Sequence, residues 1–306
     1  MTMRIVMTAL IALMAATATS QVTIISTQRL NLPAGRHWSA PRFSPDGQSI
    51  FLTTPGYSGI WQFRPGTGSL QQITDEPGAG YGYSVSGDGM HIAYRRTSFG
   101  TNVFDRTQEI VDVDLRTLRS TSVARGRNLS VPVYQPSGVV YQEMEANDLA
   151  AAGASSRSRP VVLGVDKTKI ILLVNGSKQV FDPYGDGSYI WPKMSPDASR
   201  IVAYEMKRGT FVCTLDGKVT AELGKRDGAV WMRSGEWIVY MVDRDDGHAI
   251  TASDLYCVTP DGVRTIQLTS TPAIELTPDC SPTDNLIVCS TLNGEIHLMR
   301  YEEVER

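Results

Sequence analysis

Aromatic and cationic side chains recur at one kind of place in this chain. His37, Trp38, Tyr81, Tyr83, Trp191 and Trp231, with Arg42 and Lys193 close by, each stand a few residues ahead of a recurring turn. Flat rings beside cations suit the gripping of a peptide, a glycan or a partner protein, because they offer large apolar area with charge to orient the ligand. Trp38, Arg42, Tyr81, Tyr83, Trp191, Lys193 and Trp231 are therefore the candidate binding residues. The plainer alternative is that the rings fill space between packed elements. Asp243-Arg244-Asp245-Asp246-Gly247 is the densest carboxylate cluster. Asp243, Asp245 and Asp246 around a Gly turn are candidate Ca²⁺ ligands, although the EF-hand spacing and its closing Glu are missing and a solvated loop has the same composition.

Bond-making chemistry finds little footing. Gly56-Tyr57-Ser58-Gly59 and Gly82-Tyr83-Ser84-Val85-Ser86 only approximate G-x-S-x-G, and both lie in β-rich surroundings without a strand-to-helix elbow. His37, His91, His248 and His297 are scattered, and neither C-x-x-C nor a helical H-x-x-x-H occurs. With 29 Lys and Arg against 32 Asp and Glu, the formal charge is −3, so composition does not suggest the broad positive face of a nucleic-acid binder.

Residues 1–20 differ from the remainder. Arg4 is the lone early cation, Ile5 to Ala18 is apolar, and Ala16-Thr17-Ala18 and Ala18-Thr19-Ser20 are small-residue cleavage patterns, which together predict a secretory signal peptide. The expectation is a soluble exported protein, periplasmic or secreted, with a single domain over 21–306. Cys213, Cys257, Cys280 and Cys289 lie in apolar strand patterns and read as small buried hydrophobes, Cys280 with Cys289 being the one disulfide pairing to test.

The elements that must position these residues follow from the turns. In Ser44-Pro45-Asp46-Gly47, Pro presets φ, Asp bonds its own backbone and Gly takes the left-handed position. Ser86-Gly87-Asp88-Gly89, Gln135-Pro136-Ser137-Gly138, Ser195-Pro196-Asp197-Ala198, Arg233-Ser234-Gly235 and Ser281-Pro282-Thr283-Asp284 repeat it. The copies lie roughly 40 to 60 residues apart, the range of four-stranded propeller blades. Second hairpins carry Asn175-Gly176, Asp216-Gly217, Asp261-Gly262 and Asn293-Gly294. Second strands such as Ile50-Phe51-Leu52 and Ile201-Val202-Ala203-Tyr204 are apolar throughout, as strands buried on both faces must be.

The third repeat reads as Val131 to Tyr134, Val139 to Glu143, Ile170 to Val174 and Lys178 to Phe181, interrupted by a mobile insertion, Glu145 to Thr168, on the face of the candidate site. The last repeat is one strand short. Val22 to Thr27 is predicted to complete it alongside Glu295 to Tyr301, leaving no open edge there. The prediction is thus an all-β, six-bladed propeller closed by its N-terminal strand. Seven blades, with Val161 to Val165 in an irregular extra sheet, are the alternative.

Pro41 to Ile50, with weaker copies at Pro192 to Ile201 and Pro278 to Ile287, resembles the repeat of the TolB-like, or WD-like, β-propeller family, here without the additional N-terminal domain that TolB carries. The resemblance implies the fold over essentially the whole mature chain and does not specify function. The expected role is a non-catalytic binding scaffold in the bacterial envelope, its partner an envelope protein, peptide or glycan. The alternatives are a metal-assisted propeller enzyme such as a carbohydrate lyase, or a subunit docked by its rim in a secretion or surface assembly.

Overall fold

The computed structural model describes residues 20–101, 106–143 and 159–305. The expected signal peptide up to residue 19, and residues 144–158 of the insertion, lie outside the described residues.

Three of the inner hairpins are tied by a small hydrogen-bond network that explains the turn motif. The Ser195 hydroxyl donates to Asp197 Oδ1 and accepts the Arg200 N–H at 2.9 Å, while Asp197 Oδ1 also accepts the Ser199 N–H at 3.1 Å. Ser44 with Asp46, and Ser86 with Asp88, repeat this pattern. The carboxylate does for the turn what a backbone carbonyl would otherwise do, so these loops stay tight without burying unsatisfied donors.

The strands form a six-bladed β-propeller. After β1 (Ser20–Arg29) come blade 1, with β2 (Ser39–Phe43), β3 (Ile50–Thr54), β4 (Ser58–Arg64) and β5 (Ser69–Thr74), and blade 2, with β6 (Tyr83–Val85), β7 (His91–Phe99), β8 (Arg106–Asp114) and β9 (Ser120–Gly126). Blade 3 comprises β10 (Val133–Gln135), β11 (Gly138–Val140), β12 (Val161–Asp166), β13 (Lys169–Val174) and β14 (Ser177–Phe181). Blade 4 has β15 (Tyr189–Met194), β16 (Arg200–Glu205), β17 (Gly209–Thr214) and β18 (Val219–Gly224). Blade 5 has β19 (Asp227–Trp231), β20 (Ile238–Asp245), β21 (Ile250–Val258) and β22 (Thr265–Gln267). Blade 6 has β23 (Glu275–Cys280), β24 (Leu286–Thr291) and β25 (Ile296–Glu305), and β1 is its fourth strand.

Closure follows the sequence-based expectation. β1 runs antiparallel along β25 from Ser20 opposite Glu305 to Arg29 opposite His297, with one register shift between Ile24 and Ser26. Core clusters fill the spaces between successive sheets: Leu30, Trp38, Ile50 and Leu52 meet Val288 and Ile296 across the seam, and Val22, Met299 and Tyr301 meet Trp237 and Leu255 of blade 5.

Blade 3 departs from the single four-stranded sheet expected. β10 and β11 form a separate hairpin, and the neighbour of β13 is β12, not the Val139 to Glu143 segment. The hairpin is too short to continue: its turn lacks the Asp clasp, β11 ends at Val140, and the chain folds back so that the Ser130 N–H bonds Gln142 O at 2.7 Å. Val161-Val162-Leu163, at the end of the insertion, supplies the apolar strand that β13 needs. The hairpin is then packed on both faces, Val139 against Ala93 and Ile110 of blade 2, Val140 against Leu163, Ile171 and Leu173.

The four cysteines are free thiols, three of them buried, in line with their reading as small hydrophobes, and Cys280 and Cys289 are not paired. A register shift between Leu276 and Asp279 sets Cys280 opposite Ile287, so Cys289 is not its cross-strand neighbour.

The seam is testable by charge burial. Val22 is 2% exposed, so Val22→Asp is expected to lower unfolding free energy by about 3 kcal/mol or more in urea titration. Val304→Asp, at an exposed position of the same sheet, is expected to change it by less than about 0.5 kcal/mol.

Candidate functional site

Four of the six inner strands carry one extra residue relative to their partner. The shifts fall between Ser39 and Arg42, Ile190 and Lys193, Asp227 and Val230, and Leu276 and Asp279. Each bulge contains a left-handed residue: Ala40 at φ 44°, Trp191 at 54°, Gly228 at 65° and Thr277 at 50°. In three of them Pro41, Pro192 or Pro278 comes next, where the missing N–H is no loss to the ladder. Arg42, Ser84, Val133, Lys193, Val230 and Asp279 occupy equivalent places on the six inner strands, and all six line one central cavity of about 1200 Å³.

Two cations and one anion thus lie deep in the channel, where they are half-buried but face its lumen. Burial first, and Arg42's charge second, push the Lys193 ammonium down to about 8, with Asp279 acting in the opposite sense. Burial raises the Asp279 carboxyl, while Lys193, the Phe43 N–H at 2.8 Å and Arg42 hold it down. Tyr83 has its phenol pushed up, mainly by burial; its hydroxyl has no hydrogen-bond partner among the described residues, and the Arg42 guanidinium lies 5.4 Å from its ring centre. Arg95, Arg159 and Arg233 also line the cavity.

Of the predicted binding residues, the structure gathers Arg42, Tyr81, Tyr83, Trp191, Lys193 and Trp231 around this cavity. Tyr81 and Trp191 stand at the mouth, 60% and 48% exposed, and Tyr57 packs edge-on against Tyr81 at 5.2 Å. Trp231 is largely buried; it donates Nε1–H to Lys193 O at 3.1 Å and carries the Arg200 guanidinium 5.0 Å from its ring centre. Trp38 is not brought there. It is 3% exposed, in edge contact with Trp61 at 5.3 Å in the core between blades 6 and 1, so its role is packing.

The acidic cluster does not converge into a cage. Asp245 Oδ1 accepts the Gly247 N–H at 3.0 Å, and Asp246 Oδ1 accepts those of His248 and Ala249 at 2.9 Å, so both shape their own turn. Asp243 instead lies beside Asp227, whose carboxyl is raised by burial and then by Asp243. Among the described residues no three metal-ligating side chains gather, so the candidate Ca²⁺ ligands Asp243, Asp245 and Asp246 do not form a ligand set. His91 pairs with Asp112 at 3.2 Å and His297 with Glu295 at 3.5 Å; neither lines the channel.

Asp279 and the three outer arginines were not among the sequence candidates. Asp279 had a signal: Pro278-Asp279-Cys280-Ser281 matches Pro41-Arg42-Phe43-Ser44 and Pro192-Lys193-Met194-Ser195 position by position. Arg159 and Arg233 had none, since a turn arginine looks like any solvated one.

Comparison with solved structures supports the architecture. The chain superimposes on TolB from Acinetobacter baumannii with a TM-score of 0.51 and 17% identity, covering 78% of this chain and 56% of that one. It spans little more than half of TolB's length. An oligogalacturonate lyase in complex with manganese gives a TM-score of 0.51 at 15% identity, over 88% of this chain and 78% of that one. The oligogalacturonate lyase of Vibrio parahaemolyticus gives 0.49 at 14%, over 88% and 79%. No protein-family model and no curated protein matches the chain. At these identities the likeness is one of fold.

Lys193 sets a pH dependence. Its folded value of about 8 lies below the ordinary 10.5. The unfolded chain therefore holds more protons between those values, and the penalty of charging Lys193, full below pH 8, is relieved as pH rises toward 10.5. Urea titrations across this window are expected to show wild-type stability gaining on that of Lys193→Met; parallel curves would assign Lys193 an ordinary environment.

Proposed function

We propose that this chain is a non-catalytic binding propeller of the TolB-like kind, exported to the bacterial envelope, that grips an extended peptide segment of a partner protein at the channel mouth. The observation that carries this is the pair of exposed rings, Tyr81 and Trp191, standing over a lumen with cations in its depth. Trp191 is held in a left-handed conformation that costs a bulky residue about 1–3 kcal/mol, which is a poor use of backbone strain unless the ring is wanted where it stands. The wall between mouth and depth includes Val131, Val133, Val161, Val162, Leu163 and Val165. Apolar walls suit peptide side chains better than the hydroxyls of a glycan.

The likeness to oligogalacturonate lyases motivates a second reading, a metal-assisted lyase acting on a carbohydrate. An unsaturated product released from polygalacturonate in the presence of Mn²⁺ would establish it.

Photo-crosslinking separates the binding readings. With the reactive residue at Tyr81 or, on the rim, at exposed Val180, envelope extract is expected to give discrete protein adducts from position 81. Those adducts are expected to fall at least fivefold when Trp191→Ala is added. Adducts from position 180 alone would move the partner to the rim.

A further inference from the structure

Charge in the channel runs against the charge of the whole. The protein carries a formal −3, yet the described residues lining the cavity include five cations, Arg42, Arg95, Arg159, Lys193 and Arg233, and one anion, Asp279. Three of the cations spend donors on neutral acceptors: Arg95 on Leu129 O, Arg159 on Pro196 O and Arg233 on Asn285 Oδ1. Their charges are not cancelled by those bonds. A concave wall of low dielectric focuses such a field into the lumen.

We propose that the channel seats a carboxylate between Arg42 and Lys193, with the ligand's apolar body against the valines of blade 3. This rests on the binding reading above and names the chemistry of what is bound. Arg42 and Lys193 are delivered to one level by the bulges of blades 1 and 4, and Asp279, from the bulge of blade 6, lies at the same level. At that level two cations face one carboxylate, so a monoanion neutralises the local charge. The Tyr83 hydroxyl, buried and without an acceptor among the described residues, is a third donor at that depth. Arg42 contributes a planar fork matched to two carboxylate oxygens.

Carboxylates reach such a seat either as the C-terminus of a peptide or as a free small acid, and the test separates them. Trp191 and Trp231 line the cavity, so binding is read by tryptophan fluorescence. The probes are a mixed-sequence hexapeptide pool with free C-termini, the same pool amidated, 4-phenylbutyrate and inorganic phosphate. Free-acid peptides are expected to bind at least tenfold more tightly than amidated ones. Arg42→Gln and Lys193→Met, each checked for an intact urea transition, are expected to remove that preference. Burial and Arg42, against Asp279, bring the Lys193 ammonium down to about 8, so free-acid affinity is expected to weaken above that pH in the wild type and to stay flat in Lys193→Met. Equal binding of free and amidated peptides would overturn the seat and leave the peptide reading standing. Tight 4-phenylbutyrate binding that depends on Arg42 and Lys193, with no peptide binding, would keep the seat and overturn the peptide reading. Preference for phosphate over carboxylates, or no binding by any probe, would overturn the assignment.

Discussion

A circle of sheets has to be sealed, because every blade depends on the neighbour at each of its two faces. Here the seal is the ladder between β1 and β25, which joins the two ends of the described chain over ten-residue strands. Its effect reaches past backbone pairing. Val22 joins the apolar cluster between blades 5 and 6, and Leu30, just after β1, joins the one between blades 6 and 1. Opening the seam therefore exposes apolar surface on two sides of one blade and weakens the packing of all three.

Inside the sealed ring, the bulges decide what the channel contains. An ordinary inner strand would keep strict alternation, and the residue after the proline would pair in regular register. One inserted residue, left-handed and followed by Pro in three blades, stands just ahead of Arg42, Lys193 and Asp279, which line the channel. The rings of the mouth belong to the same devices, since Trp191 is itself the left-handed residue of the fourth blade. Backbone irregularity and channel chemistry are thus a single feature of these strands.

Much of this was legible because it is local. Ser-Pro-Asp-Gly turns, Asn-Gly and Asp-Gly hairpins and doubly apolar strands act over fewer than ten residues, and their repetition carries the blade count and the closing strand. What escaped was set by competition between segments. Val139 to Glu143 and Val161 to Val165 are both apolar enough to lie beside Ile170 to Val174, and only the short turn and the early end of β11 settle which one does. Trp38 stands two residues further ahead of its turn than Trp191 does, and one is sealed in the core while the other stands at the mouth. The difference lies in loop geometry: the Trp38 N–H is drawn to Gly294 O at 3.1 Å, while Trp191 sits within a bulge. Asp279 is readable from its motif, which sets it in the place that Arg42 and Lys193 take in their own repeats.

The pairing of Ser20 with Glu305 fixes the orientation of the ring toward anything it hangs from. Both residues lie at the end of blade 6 beside the Ser-Pro-Asp-Gly turns, as the 3.0 Å bond from the Ser234 hydroxyl to Glu303 shows. Tyr57, Tyr81 and Trp191 are at the opposite end of the axis. A tether joined directly at Ser20 or Glu305 would consequently hold the molecule by its back, presenting the aromatic opening outward to whatever approaches.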